Sequence, residues 1–163
     1  MWPFNEVITA EKQRIYNLNE CEIISDVLLK LDVNLNKNIT ISIIIPYKHQ
    51  VFMLRKLLNL KFLSKLKINI DTVDGFQGKE SDVMIFSLTR TVGSFRFHAN
   101  ARRLNVALSR ARDKIFEFGK LDYALNNLVL KSILESNKIY VYNTEFSWTN
   151  VGRLEYQNRS ADL

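Results

Sequence analysis

A chain of 163 residues with 47% hydrophobic content is long enough to bury one continuous core and needs no second domain. Its 23 Lys and Arg exceed its 17 Asp and Glu, and the resulting +6 charge suits a polyanionic partner. A single cysteine, Cys21, excludes an internal disulfide and a cysteine zinc site, and His49 and His98 are too few for a metal centre. No run is long enough to span a bilayer, and residues 1–6 lack the basic and apolar regions of a signal peptide. The expectation is a soluble intracellular protein, cytoplasmic or nuclear, with no membrane partner.

Taken in order, residues 1–19 show only a short apolar patch at Val7 and Ile8 and read as a loop with at most an edge strand. Asn19 stands where a helix cap belongs. Ile23, Ile24, Val27, Leu28 and Leu31 follow at helical spacing, which predicts an amphipathic helix ending near Leu31. Residues 39–45 are β-branched and almost unbroken in hydrophobicity, and Pro46 stops them. This is the pattern of a strand covered on both faces, as in a parallel sheet. Pro46-Tyr47-Lys48-His49-Gln50 leads into a second helix whose buried side carries Val51, Leu54, Leu57 and Leu58.

Residues 68–72 and 83–88 are two further predicted strands, the second apolar except at Ser87. Residues 115–118 form another that stops at Gly119 and closes a β-α-β unit. A last helix is predicted over 121–135, with Leu121, Ala124, Leu125, Leu128 and Ile133 inward, then a strand over 139–142 and an irregular tail over 143–163. The whole is one α/β domain spanning 1–163, with a core at about 16–142 and a mostly parallel sheet.

The chemistry concentrates between Thr72 and Arg112. A polar loop, Thr72-Val73-Asp74-Gly75-Phe76-Gln77-Gly78-Lys79-Glu80-Ser81-Asp82, precedes a buried strand. After it comes Arg102-Arg103-Leu104-Asn105-Val106-Ala107-Leu108-Ser109-Arg110-Ala111-Arg112. Leu104, Ala107, Leu108 and Ala111 stand at i, i+3, i+4 and i+7, which predicts a helix with one apolar stripe. Arg103 and Arg110 fall on one flank, Asn105 and Arg112 on the other. A guanidinium offers a planar fork of donors that suits phosphate oxygens, although the same spacing also describes a solvated basic flank. No acidic residue lies between Lys48 and Ile70 or between Arg90 and Arg112, so positive tracts flank the loop.

These phrases resemble motifs V and VI of superfamily-1 helicases, in the branch that includes the nonsense-mediated-decay helicases and senataxin. Pro46-Tyr47-Lys48-His49-Gln50 is similar to that family's Pro-Tyr-x-x-Gln element. The resemblance implies a three-layer RecA-like domain, the second of two that close on a nucleotide. It also implies ATP as cofactor, with magnesium supplied through the first RecA-like domain, and single-stranded RNA or DNA as partner. The first domain would come in cis or in trans.

By the same resemblance Arg110 is the arginine finger, Gly78 and Glu80 lie against the nucleotide, and Glu80 faces the ribose hydroxyls. Pro46, Tyr47, Gln50, Thr72, Gln77, Ser87, Arg90 and Asn105 belong to the nucleic-acid track, with Thr89 beside them. On the residues alone, Tyr47 also reads as a packed aromatic, Gln50 and Gln77 as parts of an internal polar network, and Asp74 and Asp82 as caps. Ser87, His49 and Asp74 would make a hydrolase triad on paper, but no Gly-x-Ser-x-Gly elbow supports it.

Departures from the family matter too. No Gly-x-x-x-x-Gly-Lys-Ser/Thr occurs, since Gly78-Lys79 runs into Glu80, and no hydrophobic strand ends in a paired Asp-Glu. Ala99-Asn100-Ala101 stands where the family often has Asn-Asp-Pro. The expectation is half of an ATP-driven motor, inactive as an ATPase alone. The alternative is a stand-alone, non-catalytic module that binds nucleic acid or a helicase.

Overall fold

Side chains alternate along a strand, so a strand apolar at every position must be covered on both sides. The computed structural model describes residues 7–9, 14–58, 63–76, 80–93, 109–126, 128 and 131. In it β3 (Ile39–Ile44) meets that demand. Ile39, Ile41, Ile43 and the following Ile45 face one way, against Cys21, Ile24 and Leu28 of α1 (Leu18–Asn34) and Val51 and Leu54 of α2 (Lys48–Leu57). Ile44 faces the other way, with Met84 and Phe86 of β5 (Ser81–Ser87), Val73, Phe76, Tyr123 and Ala124. Two helices cover one face, and the 3-10 turn Asp74–Phe76 with α3 (Leu121–Leu125) covers the other, which makes three layers.

The sheet runs β4-β3-β5-β6, with β4 at Leu66–Asp71 and β6 at Ala111–Phe118, and every pairing in it is parallel. Ile70, Ile43, Ile85 and Phe116 are register partners across all four strands and form one apolar row. β1 (Val7–Thr9) and β2 (Arg14–Tyr16) make a separate antiparallel hairpin, a pairing that the short patch at Val7 and Ile8 did not reveal.

Several boundaries differ from the sequence reading for identifiable reasons. α1 starts two residues early because Asn17, not Asn19, is its cap: the Asn17 Oδ1 accepts the Glu20 N–H at 3.1 Å from an extended backbone. Its fully covered stripe is Cys21, Ile24 and Leu28, closed by polar Glu20 and Asp32. β6 starts at Ala111, so Ala111 and Arg112 belong to a strand and not to the arginine helix. Pairing of Ala111 with Ser81 overrides the helical spacing there.

α3 is Leu121–Leu125, and Leu128, itself helical, is 84% exposed where an inward place was expected. Leu57, in the last position of α2, is 39% exposed where a buried place was expected. The predicted helix over residues 102–108, Ile133, the strand over 139–142 and the tail lie outside the described residues. Among the described residues no helix is long and apolar enough to cross a membrane.

Candidate nucleic-acid interface and nucleotide edge

Because the four strands are parallel, their C-terminal ends share one edge of the sheet and their N-terminal ends the other. The chain leaves β3 toward β4 on one side but returns to β5 on the other. β3 and β5 therefore bracket a topological switch point, where α/β sheets bind ligands outside the carboxyl ends of their strands. At that edge the structure brings together Pro46 and Tyr47 after β3, Thr72 after β4, and Thr89 and Arg90 after β5. Pro46, Tyr47, Thr72 and Arg90 are each half-buried. The Thr72 N–H is held by the Asp71 carboxylate at 2.7 Å.

Two other expected track residues stand differently. Gln50 and Ser87 are completely covered. The Gln50 Oε1 accepts the Asn17 N–H at 2.7 Å, and its Nε2 donates to the Asn17 carbonyl at 3.2 Å. The Ser87 hydroxyl donates to the Glu20 carboxylate. These side chains join the domain's own polar network, and in this conformation a strand lying over the edge would meet neither.

That network centres on Glu20, which the sequence reading did not single out. Its carboxylate accepts the Thr89 N–H through both oxygens, and the Asn17 Nδ2 donates to the Thr89 carbonyl at 3.4 Å. Burial pushes the Glu20 pKa up to about 8, and the nearby Glu117 adds to the rise. Glu117 is itself raised by burial to about 7. Thr89 has φ of 65°, a left-handed backbone that a β-branched residue rarely adopts. Asn17 and Glu20 have the three-residue spacing of a capping box, a signal that was present in the sequence. Here the glutamate reaches across to the β5 loop instead of back to its own helix.

The opposite edge gathers Glu80, Arg110 and Arg112. The Ser81 N–H reaches the Arg110 carbonyl at 3.5 Å and Ser81 is the register partner of Ala111, so Glu80 and Arg110 lie at the starts of neighbouring strands. The register then slips between Ser81 and Val83, with one extra residue on β6, a bulge of the kind that re-aims side chains. Arg112 turns toward Glu80, its Nη2 2.9 Å from the Glu80 Oε2, and toward Asp82 at 3.9 Å. The Asp82 carboxylate also accepts the Thr40 N–H at 2.7 Å. Arg110 is half-buried and Glu80 exposed. Gln77, Gly78 and Asn105 lie outside the described residues.

An AAA-domain family model matches residues 4–122 of the chain. It is 32% identical over 149 residues to an uncharacterized ATP-dependent helicase of Methanocaldococcus jannaschii, covering 91% of this chain and 20% of that protein. Helicase sen1 of Schizosaccharomyces pombe is 36% identical over 121 residues, 70% of this chain and 7% of its own length. The human probable helicase senataxin is 30% identical over 141 residues, 77% of this chain and 5% of its own.

The chain belongs to the senataxin-like superfamily-1 helicases. It corresponds to their C-terminal region and has their RecA-like α/β fold, while spanning a fifth or less of these curated relatives. In this helicase domain the two sheet edges separate two kinds of chemistry. A guanidinium and a carboxylate stand at the N-terminal edge, and hydroxyls, an aromatic ring and a second guanidinium at the C-terminal edge. The former set suits a nucleotide's charge and ribose. Among the described residues no group of three or more His, Cys, Asp or Glu could hold a metal ion.

Proposed function

We propose that this domain is the C-terminal RecA-like half of an ATP-driven helicase motor, contributing one guanidinium to a nucleotide site and one edge to a single-strand track. The observation that carries the reading is the adjacency of Arg110 and Glu80 at the starts of β6 and β5, joined through the Ser81–Arg110 backbone contact. Bound ATP would supply the phosphoanhydride bond whose cleavage drives motion, with its phosphates and magnesium held by the first RecA-like domain. Arg110 then donates to phosphoryl oxygens, where a guanidinium offsets charge that develops as the bond breaks. Glu80 accepts hydrogen bonds from ribose hydroxyls, and Gly78, outside the described residues, is assigned to the nucleotide on the family resemblance alone.

At the other edge Tyr47, Thr72 and Arg90 hold a single strand through its backbone and stacking, positioning it without reading sequence. Pro46 extends that surface, and Gln77 and Asn105, outside the described residues, are assigned to the same track on the family resemblance alone. Gln50 and Ser87 act through the Glu20 network, fixing the loop that carries Arg90. Names of the relatives include both a DNA helicase and Sen1-type helicases, so the track is assigned to single-stranded nucleic acid as a class.

The test supplies the missing half. The 163-residue chain alone should hydrolyse ATP no faster than buffer, and joining it to a first RecA-like domain of this family should give strand-stimulated hydrolysis. Arg110→Ala should then lower turnover by about 10³- to 10⁵-fold with strand affinity unchanged. Hydrolysis by the isolated chain, or an Arg110→Ala assembly that turns over normally, would overturn the division of labour. Strand binding without any nucleotide dependence in the joined assembly would favour a non-catalytic binding module.

A further inference from the structure

The second helix has an outer face that the site described above does not use. Gln50, Val51 and Leu54 of α2 are buried, whereas Lys48, Phe52 and Lys56 are exposed and stand at i, i+4 and i+8, in one line along the helix. Phe52 is 58% exposed. Its ring is not isolated. His49 stacks on it with centroids 5.7 Å apart and planes at 22°, and Tyr16 of β2 meets His49 edge-on at 5.2 Å and 66°.

His49 thus links the other two rings, and Phe52, the outermost, stays more than half exposed. Helix α2 holds no acidic residue, and its last turn carries Arg55 and Lys56. This face starts at Lys48, one residue beyond Tyr47 at the C-terminal edge of the sheet.

We propose that the outer face of α2 is a stacking platform, on which an unpaired base of single-stranded nucleic acid lies against Phe52 while Lys48 and Lys56 hold the flanking phosphates. The inference rests on the single-strand reading given above and extends the track from the strand ends onto the helix. Charge decides for nucleic acid over a protein partner. An exposed ring in line with two lysines on an acid-free helix matches the pairing of a π face with a phosphate backbone, and stacking on such a ring tolerates any base. The bracing by His49 and Tyr16 holds the Phe52 ring before a base arrives, which lowers the ordering cost of binding.

The experiment uses the whole 163-residue chain and a labelled homopyrimidine single strand carrying one 2-aminopurine, titrated at several salt concentrations. Phe52→Ala should weaken binding about tenfold with the salt slope unchanged, and abolish the stacking-dependent quenching of 2-aminopurine; Phe52→Tyr should restore both. Lys48→Ala and Lys56→Ala should each reduce the salt slope by about one, because each removes a phosphate contact and not a stacking one.

Normal strand binding with Phe52→Ala indistinguishable from wild type would overturn the platform and leave the edge track standing. Absence of strand binding by the wild-type chain would overturn both. A Phe52→Ala chain that binds strands normally but no longer joins a first RecA-like domain would show the face to be a protein contact, again overturning the platform.

Discussion

The backbone N–H of Thr89 donates to both carboxylate oxygens of Glu20, 3.1 Å from each. One buried side chain at the start of α1 therefore fixes the loop leaving β5, and it does so at a residue whose φ of 65° costs on the order of 1 kcal/mol or more. The loop bearing Arg90 keeps its shape because the surrounding network over-determines it. Asn17 contributes through the Thr89 carbonyl, and Ser87 through its hydroxyl.

The first prediction concerns pH. Burial raises Glu20 to about 8 and Glu117 to about 7, against 4.5 for both when exposed. Between those values the folded chain retains protons that the unfolded chain releases. The stabilisation is therefore complete below about pH 4.5 and is lost as pH rises through 7 to 8, amounting to a few kcal/mol. Urea midpoints measured from pH 5 to 9 should fall across that window. Glu20→Gln keeps an acceptor without a charge and should remove much of the fall, leaving the share that belongs to Glu117. A wild-type profile flat above pH 6 would contradict the burial account.

Asp32 carries the opposite sign. Near the end of α1 its carboxylate accepts the Ser64 N–H at 3.1 Å, the Lys65 N–H at 2.7 Å and the Leu66 N–H at 3.1 Å, with the Ser64 hydroxyl at 3.2 Å. These bonds, led by the Ser64 N–H, lower its pKa below the usual 3.8. Its contribution is present above that value and lost as pH falls through the lowered one. Asp32→Ala should speed amide exchange at Lys65 and Leu66 at neutral pH and unpin the start of β4, while exchange in β5 stays slow. Uniform acceleration throughout the sheet would instead mean that the domain opens as one unit.

Gly119 tests the packing between sheet and loop. A Cβ at this position would lie 2.6 Å from the Leu88 Cβ and 2.7 Å from the Leu88 Cγ, and its φ is +156°. Leu88 is itself fully buried and its N–H is bonded to the Phe118 carbonyl at 2.8 Å, so it cannot retreat cheaply. Gly119→Ala should destabilise by about 1–3 kcal/mol, read as a lower denaturant midpoint at unchanged slope. Gly93 is the comparison. There the nearest neighbour is the Arg90 guanidinium tip at 3.0 Å, a group able to swing away, although its φ of +77° still disfavours alanine.

What could be read from the chain follows from which forces are local. The β-branching and nearly unbroken hydrophobicity of residues 39–45 revealed a doubly covered strand, and Pro46 its end, because both act within a few residues. Parallel pairing places Tyr47, Thr72 and Arg90 at one edge of the sheet and Glu80 and Arg110 at the other. A place for Gln50 in an internal polar network was legible, but its partner Asn17 and the tie of Ser87 to Glu20 were not, since only the tertiary approach of α1 brings these groups together. Helical spacing through Ala111 misled for the same reason: a neighbouring strand, invisible in a window of eleven residues, claimed Ala111 and Arg112. The hairpin of Val7–Thr9 with Arg14–Tyr16 is too short to leave a periodic trace.

Arg112 yields the last prediction, because the bulge that places it on Glu80 sets a structural role against a functional one. Both side chains are more than half exposed, 62% and 57%, so their contact at 2.9 Å is screened by solvent and Arg112→Ala should leave the thermal midpoint essentially unmoved. The pair nevertheless orients the Glu80 carboxylate. If Glu80 receives a ribose, the joined two-domain assembly carrying Arg112→Ala should show a higher KM for ATP at nearly unchanged kcat. Arg110→Ala in the same assembly should do the reverse, lowering kcat far more than it raises KM. Comparison of ATP with its 2′-deoxy analogue isolates the carboxylate: the wild type should discriminate between them, and Glu80→Ala should not. Equal KM values for both nucleotides in the wild-type assembly would remove Glu80 from the ribose and leave its pairing with Arg112 as its whole role.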